Sequence, residues 1–200
     1  MNSNLTSILK NVKSVHNDLD KVIGSIDNMC RKGCAHCCYQ PIEIVACEEL
    51  PIAEYINNRI GSDLYKKVRK QIMDWSIHFN EHFAGFESLK TVDDVSHANR
   101  AYREKVNEDR LACPFLVNNL CSIYEVRPLS CRSHIELESA TLCEKDGLKE
   151  STNNIKKIRN YHFEKLIKNP NSTLRYLPVA ISRTFGFNKI FKPHPMIKLN

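Results

Sequence analysis

The chain holds few of the residues that form tight turns, with 6 glycines and 8 prolines among 200 residues. This shortage disfavours an all-β architecture, whose many hairpins and bends depend on those two residue types. Long apolar runs are absent as well, and none approaches the roughly 18 residues that a helix needs to span a bilayer. The first ten residues are polar and lack the apolar stretch of an export signal. We therefore expect a cytoplasmic protein that has no membrane partner.

The remaining composition is ordinary for a globular protein. Hydrophobic residues make up 42% of the chain and charged residues 26%, which disfavours the disordered and fibrous classes. A chain of 200 residues can bury an adequate core without covalent cross-links. We expect a single domain over residues 1–200, in which residues 30–134 carry the chemistry and residues 148–200 form a basic helix and tail.

Apolar residues recur at three- and four-residue steps over most of the chain, which predicts a mainly α fold. The first such stripe, from Leu5 to Ile26, predicts one long amphipathic helix. Further helices are predicted over residues 43–60 with a start or kink at Pro51, from an N-cap at Ser62 to an end at Gly85, over 92–107, and over 152–167. The segment 174–191 alternates weakly between apolar and polar residues, which predicts a strand or an extended segment.

The formal net charge of +6 lies towards the C-terminus. Residues 148–200 hold 11 Lys and Arg against 2 Asp and Glu, whereas residues 1–100 hold 12 against 13. A basic segment is typical of proteins with an acidic partner, such as nucleic acid, an anionic protein face or a phosphorylated ligand. The same Lys and Arg residues also have the spacing of the solvent-exposed face of an amphipathic helix. We prefer this interpretation, in which the charges face water, to a partner-binding surface.

Nine cysteines are the unusual feature of the composition. Without an export signal, we expect reduced thiols rather than disulfides. Seven of them lie in two segments: Cys30, Cys34, Cys37 and Cys38 in the first, and Cys113, Cys121 and Cys131 in the second. Two thiolates separated by two or three residues can face one ion, and Gly33 supplies the backbone freedom for such a turn. We therefore predict that two cysteine-rich loops converge on a metal centre.

The number of thiols exceeds the needs of one centre. One structural Zn²⁺ takes four ligands, and one [4Fe–4S] cluster takes four cysteines. Cys37 and Cys38 are adjacent, and side chains of neighbouring residues diverge in a helix or a strand. Either a second centre sharing a thiolate or one cluster with reserve thiols for redox exchange would account for the surplus.

Several charged or ligating side chains flank the two segments. Thiolates around a divalent ion leave a negative charge that buried cations or donors must offset, and Arg127 and Arg132 are predicted to contact the cofactor in this way. His36 and His134 lie beside candidate ligands, but we favour a non-ligand role for both. Two further cysteines lie outside the segments: Cys47 is predicted to be a packed thiol, and Cys143 fits either role.

A separate pattern, His78-Phe-Asn-Glu81-His82, matches the HxxEH arrangement of inverted zinc proteases. Two histidines four residues apart share one face of a helix, and Glu81 could act as a base. The same segment carries an aromatic stripe at Trp75, Phe79 and Phe83, so an amphipathic helix explains it equally well. Because the sequence marks no downstream carboxylate ligand, we favour the structural interpretation.

The cysteine pattern as a whole resembles a known family. CxxxCxxCC followed by CPFL and CSIYExRPxxCR is similar to the CxxCxxCC zinc- or iron-chelating family of YkgJ-type cysteine-cluster proteins, to which flagellin lysine N-methylase is related. The resemblance covers residues 30–134 and implies a metal bound by the seven motif cysteines, with iron–sulfur suggested by the methylase and zinc left open. Three residues separate Cys30 from Cys34, whereas two residues separate the first two cysteines of the CxxCxxCC pattern.

The longer gap also makes Cys30, Cys34 and Cys37 resemble the CxxxCxxC signature of radical enzymes that bind S-adenosylmethionine to an iron–sulfur cluster. Those enzymes resemble partial barrels of alternating strand and helix, and this sequence shows no such alternation.

Two functions stay open. The first is a redox-active iron–sulfur protein, which would be an enzyme if it modifies a protein or peptide side chain, and the second is a zinc-stabilised adaptor without catalysis. Nucleic-acid binding through the basic end is a third hypothesis.

Overall fold

The computed structural model describes residues 3–83, 85, 89–145, 151–169, 172–192 and 197–198. Within these residues the fold is mainly α, as the apolar periodicity predicts. The helices are α1 (Ser3–Gly24), α2 (Glu49–Arg59), α3 (Ser62–His82), α4 (Val92–Glu108), α5 (Leu129–Arg132), α6 (Ala140–Lys145), α7 (Asn153–Ile167) and α8 (Leu177–Ile181). Short 3-10 helices span His36–Tyr39, Ala46–Glu48, Tyr124–Val126 and Ser182–Phe185. In the described part of the chain, no helix combines the length and apolar character needed to cross a membrane.

Two small antiparallel sheets complete the fold. One contains β1 (Glu43–Val45), β4 (Thr173–Tyr176) and β5 (Ile197–Lys198) in the order β1-β4-β5. Glu43 pairs with Tyr176 and Val45 with Leu174, so the strand that follows the first cysteine segment is joined to the C-terminal part of the chain. The other is a hairpin of β2 (Leu116–Val117) and β3 (Leu120–Cys121).

The predicted helices at the N-terminus, at 92–107 and at 152–167 are confirmed to within two residues. Along α1, the stripe of Val12, Val15, Leu19 and Ile23 is buried against α7 and α5. Thr91 caps α4 by accepting the Asp94 N–H, while the Asp94 carboxylate accepts the Thr91 N–H. This reciprocal pair satisfies two N–H groups that helix geometry leaves free.

Three local predictions were wrong. Residues Glu43–Val45 form β1 because their backbone pairs with β4, Ala46–Glu48 is a short 3-10 helix, and the α-helix begins only at Glu49. The helix start predicted at Pro51 is confirmed to within two residues, because Pro51 lies in the first turn of α2, where no intrahelical N–H is needed. Gly61 rather than Ser62 is the N-cap residue of α3, which ends at His82.

The third wrong prediction concerns the segment after residue 174. It is extended only as far as Tyr176, and Leu177–Ile181 forms α8. Pro178 lies in the first turn of α8, where its fixed φ favours helix initiation over a continuing strand. The alternating residues of this segment therefore occupy a helix that is buried at Leu177, Ala180 and Ile181.

Candidate metal centre

The two cysteine segments meet in the folded chain. The Cys113 N–H donates to the Cys38 carbonyl at an N···O distance of 2.7 Å, although 75 positions separate the two residues in the sequence. This backbone contact places the start of the second segment against the end of the first. The convergence that the motif predicts is therefore present.

The first segment is shaped by two consecutive turns. The Cys34 N–H donates to the Arg31 carbonyl, and the Cys38 N–H to the Ala35 carbonyl, each at 2.9 Å. Gly33 has φ +88°, a left-handed conformation that side chains disfavour, which agrees with the freedom predicted at this position. The turns lead directly into the 3-10 helix His36–Tyr39, which carries Cys37 and Cys38.

The second segment was expected to be loop, but it contains a hairpin and a short helix. Asn118 and Asn119, with φ of 52° and 58°, form the two-residue turn that joins β2 to β3. Left-handed Asn-Asn at both turn positions is typical of a tight hairpin, and this signal was available in the sequence. The hairpin places Cys121 opposite Leu116, while Cys131 lies on α5.

Four cysteines form what we call the inner thiol group: Cys37, Cys113, Cys121 and Cys131. Burial raises the pKa of Cys113 to about 12 and raises that of Cys131 well above its ordinary value. Negative charge on the other thiols of the group shifts both pKa values further in the same direction. These sulfurs are thus close enough to repel one another as thiolates, and only a bound cation would hold them all ionised.

Cys38 also lies against this group. A hydrogen bond with the Cys38 side chain is the main cause that raises the pKa of the Cys37 thiol, followed by burial. The divergence expected for adjacent side chains is therefore not observed, since the two thiols lie within hydrogen-bond reach of each other. Cys38 is consequently available as a fifth thiol beside the inner group.

Three cysteines form an outer thiol group: Cys30, Cys34 and Cys143. Helix α6, which carries Cys143, packs against the 3-10 helix of the first segment. Burial raises the pKa of Cys143 to about 11, and the negative charges of Glu136, Cys30 and Cys34 add to this shift. A hydrogen bond of 2.7 Å from the Met29 N–H to the Glu136 carbonyl holds the two chain segments together. Cys143, which no motif spacing marks, thus belongs with the candidate ligands.

Arg127 supplies positive charge to the inner thiol group. Its charge lowers the pKa values of Cys37, Cys121 and Cys131, against the opposing effect of burial. The guanidinium carbon lies 3.9 Å from the centre of the Tyr124 ring, so the side chain is positioned by stacking. These contacts place a cation beside the inner thiol group, and a direct contact between Arg127 and a cofactor stays a prediction.

Two donors on residues of the two cysteine segments, or directly after them, are buried without a hydrogen-bond acceptor among the described residues. They are the Nε atom of Arg127 and the Nε2 atom of Gln40, which follows Cys38 by two residues. A buried donor without an acceptor costs free energy, so such groups are rare unless a bound species accepts from them. Metal-bound thiolate or sulfide is an acceptor of this kind, and the residues present therefore fit a metal centre.

Arg132 is committed to contacts within the protein. Its Nε atom donates to the Arg127 carbonyl at 2.6 Å and one Nη atom donates to the Glu125 carbonyl at 2.7 Å. The other Nη atom hydrogen-bonds Asp20 of α1. Arg132 thus ties the segment before Cys131 to the N-terminal helix, and a direct contact with a cofactor stays a prediction.

Glu48 is a buried carboxylate that no sequence motif marks, and it connects three elements around the cysteine segments. Glu48 is 1% exposed, and its Oε1 atom lies 2.7 Å from His16 Nε2 and 2.7 Å from the Leu129 backbone nitrogen. Its Oε2 atom accepts the Val45 N–H at 3.0 Å. Helix α1, strand β1 and helix α5, which carries Cys131, are therefore joined at one side chain. The available signal was an acidic residue in line with Ile44 and Ile52, at four-residue spacing on an apolar face.

Cys47 lies apart from both thiol groups. Its sulfur is 3.7 Å from Asn169 Nδ2 and 3.9 Å from the Leu166 carbonyl oxygen, in the apolar cluster between α1 and α7. Burial raises the pKa of Cys47 to about 12. These contacts are those of a packed thiol rather than a ligand.

We expect Cys47→Ala to leave the metal content of the protein unchanged and to lower the free energy of unfolding by about 1 kcal/mol, because only a small packed group is removed. Elemental analysis of the purified variant and urea denaturation measure the two effects. A fall in bound metal per chain would contradict the assignment of Cys47 as a packed residue.

Comparison with known proteins gives one match. Residues 29–158 match the CxxCxxCC family, described as "Putative zinc- or iron-chelating domain". Comparison with curated proteins and with solved structures gives no match. The matched range contains both thiol groups, including Cys143, and covers well over half of the chain. On this basis, and with its cysteine segments brought together by the fold, the chain belongs to the CxxCxxCC family of metal-binding cysteine-cluster proteins.

Proposed function

We propose that the inner thiol group holds an iron–sulfur cluster and that the protein is redox-active. The observation that carries this proposal is the donor set of the inner thiol group: four cysteines that influence one another's pKa values, with the Arg127 charge beside three of them. A [4Fe–4S] cluster takes four cysteine ligands, one on each iron.

The surroundings of the inner group also suit a redox centre. Hydrogen bonds to cluster sulfurs and exclusion of water are the protein's main means of setting a cluster potential. Arg127 and Gln40 each offer a buried donor without an acceptor among the described residues. The hydrophobic cluster that contains Phe115 and Ile123 packs against Cys113 and Cys121 and restricts water on that side. When bound, a cluster would supply one-electron transfer, and this chain's residues would hold it in a dry environment beside a cation.

The outer thiol group accounts for the surplus of thiols. Cys30, Cys34 and Cys143 lie near one another and near Cys37. The two groups thus meet at Cys37, as expected for a second centre with a shared thiolate or for reserve thiols beside one cluster. Cys30 is exposed, so this side of the site is accessible to a reaction partner.

A protein or peptide side chain is the substrate class that we propose for an enzymatic role, following the family resemblance. The basic segment is its proposed docking surface, but part of that charge is neutralised within the chain. Lys165 lies 3.0 Å from Asp18, and Arg175 lies 3.3 Å from Glu49. This reduces the positive surface available to nucleic acid, and we therefore place nucleic-acid binding second.

S-adenosylmethionine is not part of the proposal. The sheets of the described residues are small and antiparallel, whereas the radical enzymes that share CxxxCxxC resemble barrels of alternating strand and helix. We therefore interpret the CxxxCxxC spacing of Cys30, Cys34 and Cys37 as a local similarity in sequence that does not extend to the fold.

Anaerobic purification followed by elemental analysis and absorption spectroscopy tests the proposal. We expect iron and acid-labile sulfide in equal amounts, with a broad visible band that dithionite bleaches. A colourless protein with stoichiometric zinc would overturn the redox proposal and support the zinc-stabilised adaptor. Reconstitution with iron and sulfide serves as a control for cluster loss during purification, because a zinc protein would not acquire the dithionite-sensitive band.

A further inference from the structure

We propose that His78, His82 and Asp109 form a second metal site, distinct from the cysteine groups, that binds a divalent cation of the zinc class. One ligand atom from each of these residues lies within 4.8 Å of the other two. His78 and His82 are one turn apart on α3, and their rings are 4.5 Å apart. Asp109 directly follows α4 and was not marked by the sequence. It supplies the third ligand that the HxxEH pattern lacked.

The two helices are held rigidly at this point. Between α3 and α4, the Phe79 and Tyr102 rings meet edge to face with centroids 5.3 Å apart, and Trp75 packs on Tyr102 in the same manner at 6.0 Å. All three side chains are at most 1% exposed. The candidate ligands therefore project from a fixed framework, which is what a metal site requires.

The separation of His78 and Asp109 suits a shared ion. His78 Nε2 lies 2.9 Å from Asp109 Oδ2. Two ligand atoms each about 2.1 Å from a metal ion are about 3.0 Å apart at a right angle and about 3.4 Å apart in a tetrahedron. An ion can thus replace the proton between these atoms with a movement of a few tenths of an ångström.

The opposite nitrogen of His78 is held by a buried hydroxyl. His78 Nδ1 lies 3.4 Å from the Tyr102 hydroxyl oxygen, and burial raises the pKa of Tyr102, so the hydroxyl stays neutral. When Nε2 faces an ion, Nδ1 carries the hydrogen and donates it to this oxygen. Ligating histidines are commonly fixed in this way through their second nitrogen.

The charges around the site favour a cation, with one exception. The Asp109 carboxylate is exposed and lies 2.9 Å from His78 Nε2, so its negative charge faces the candidate ligands. Glu81 and Glu108 also lie close enough to raise the pKa of Lys105. Lys105, whose Nζ atom is 2.8 Å from Asp109 Oδ1, opposes a cation. Three carboxylates thus outweigh one ammonium group.

The site is open on one side. The His82 side chain is 29% exposed and that of Asp109 is 35% exposed. Three protein ligands with a fourth position facing solvent are the arrangement that catalytic zinc sites use, in contrast to closed structural sites. The ion would therefore keep an exchangeable position for water or a small anion.

Titration of the full-length protein, purified with its resident metal, with Co²⁺ tests the proposal. We expect one added Co²⁺ per chain with weak d–d absorption and no thiolate-to-cobalt charge-transfer band, and with competition by Zn²⁺. His82→Gln and Asp109→Asn should each abolish this binding, while the matched control His97→Gln, an exposed histidine of α4, should retain it.

Two more variants separate a metal site from a structural hydrogen bond. Lys105→Met should bind Co²⁺ several-fold more tightly, because an opposing charge is removed. Tyr102→Phe should bind Co²⁺ about 10-fold more weakly, because the His78 ring loses its hydrogen-bond partner. Unchanged Co²⁺ affinity in His82→Gln and Asp109→Asn, or charge-transfer absorption for all the added Co²⁺, would overturn the site whatever metal the cysteines hold.

Discussion

Cys131→Ser is expected to remove the metal from the inner thiol group and to destabilise the protein in the same step. Cys131 lies on α5, where Ser130 donates to the Glu43 carbonyl at 2.9 Å, so the ligand, the short helix and β1 form one unit. A thiolate pair distant in sequence is drawn together by the free energy of metal binding, which amounts to about 10–16 kcal/mol for small zinc domains and becomes folding free energy. We expect a melting temperature at least 10 °C lower, since about 1 kcal/mol corresponds to several degrees in a chain of this size.

Elemental analysis and thermal unfolding of the same preparation measure both effects. Cys47→Ser is the matched control, because it makes the same chemical change at a packed thiol outside both groups. Cys143→Ser should give a smaller loss, limited to whatever the outer thiol group binds. Full metal content in Cys131→Ser would exclude this residue from the ligands.

Glu48→Leu is expected to lower the free energy of unfolding by about 3–5 kcal/mol, the range found when one partner of a buried charged pair is removed. Three groups lose their acceptor at once, namely the His16 ring and the backbone N–H groups of Val45 and Leu129. Leucine fills a similar volume, so the effect reports on the hydrogen bonds rather than on a cavity. Because Leu129 begins α5, the variant should also bind metal more weakly.

Urea denaturation of metal-loaded and metal-free protein separates the two consequences of Glu48→Leu. Glu54→Gln provides the control, since Glu54 is a nearby exposed glutamate whose ion pair with Lys13, at 2.6 Å, lies in solvent. Exposed pairs contribute little, and we expect its stability to match that of the wild type. A Glu48→Leu protein as stable as Glu54→Gln would show that the buried network is dispensable.

Much of the helical structure could be predicted from local patterns. The stripe of α1 and the periodicity of α4 and α7 depend on residues three or four positions apart, and such neighbours share a face whatever the rest of the chain does. The errors at α8 and at the start of α3 had local causes, but the error at β1 arose because a distant partner decided the outcome. Ile44 and Val45 belong to the apolar pattern that predicts a helix over residues 43–60, but their backbone pairs with a strand more than 125 positions away.

For the candidate site as well, some features could be predicted from the sequence and others only from the tertiary structure. The sequence by itself marked the seven motif cysteines as candidates and indicated the family, because the spacing of cysteines within a turn is a local property. Only the tertiary structure decided that Cys143 joins Cys30 and Cys34, that Glu48 meets His16, and that Asp109 reaches His78. Each of these contacts joins separate helices or loops, whose relative placement follows from the burial of many apolar side chains at once. This placement depends on the total apolar burial of the whole chain. A short stretch of sequence therefore does not predict which helices and loops will contact one another.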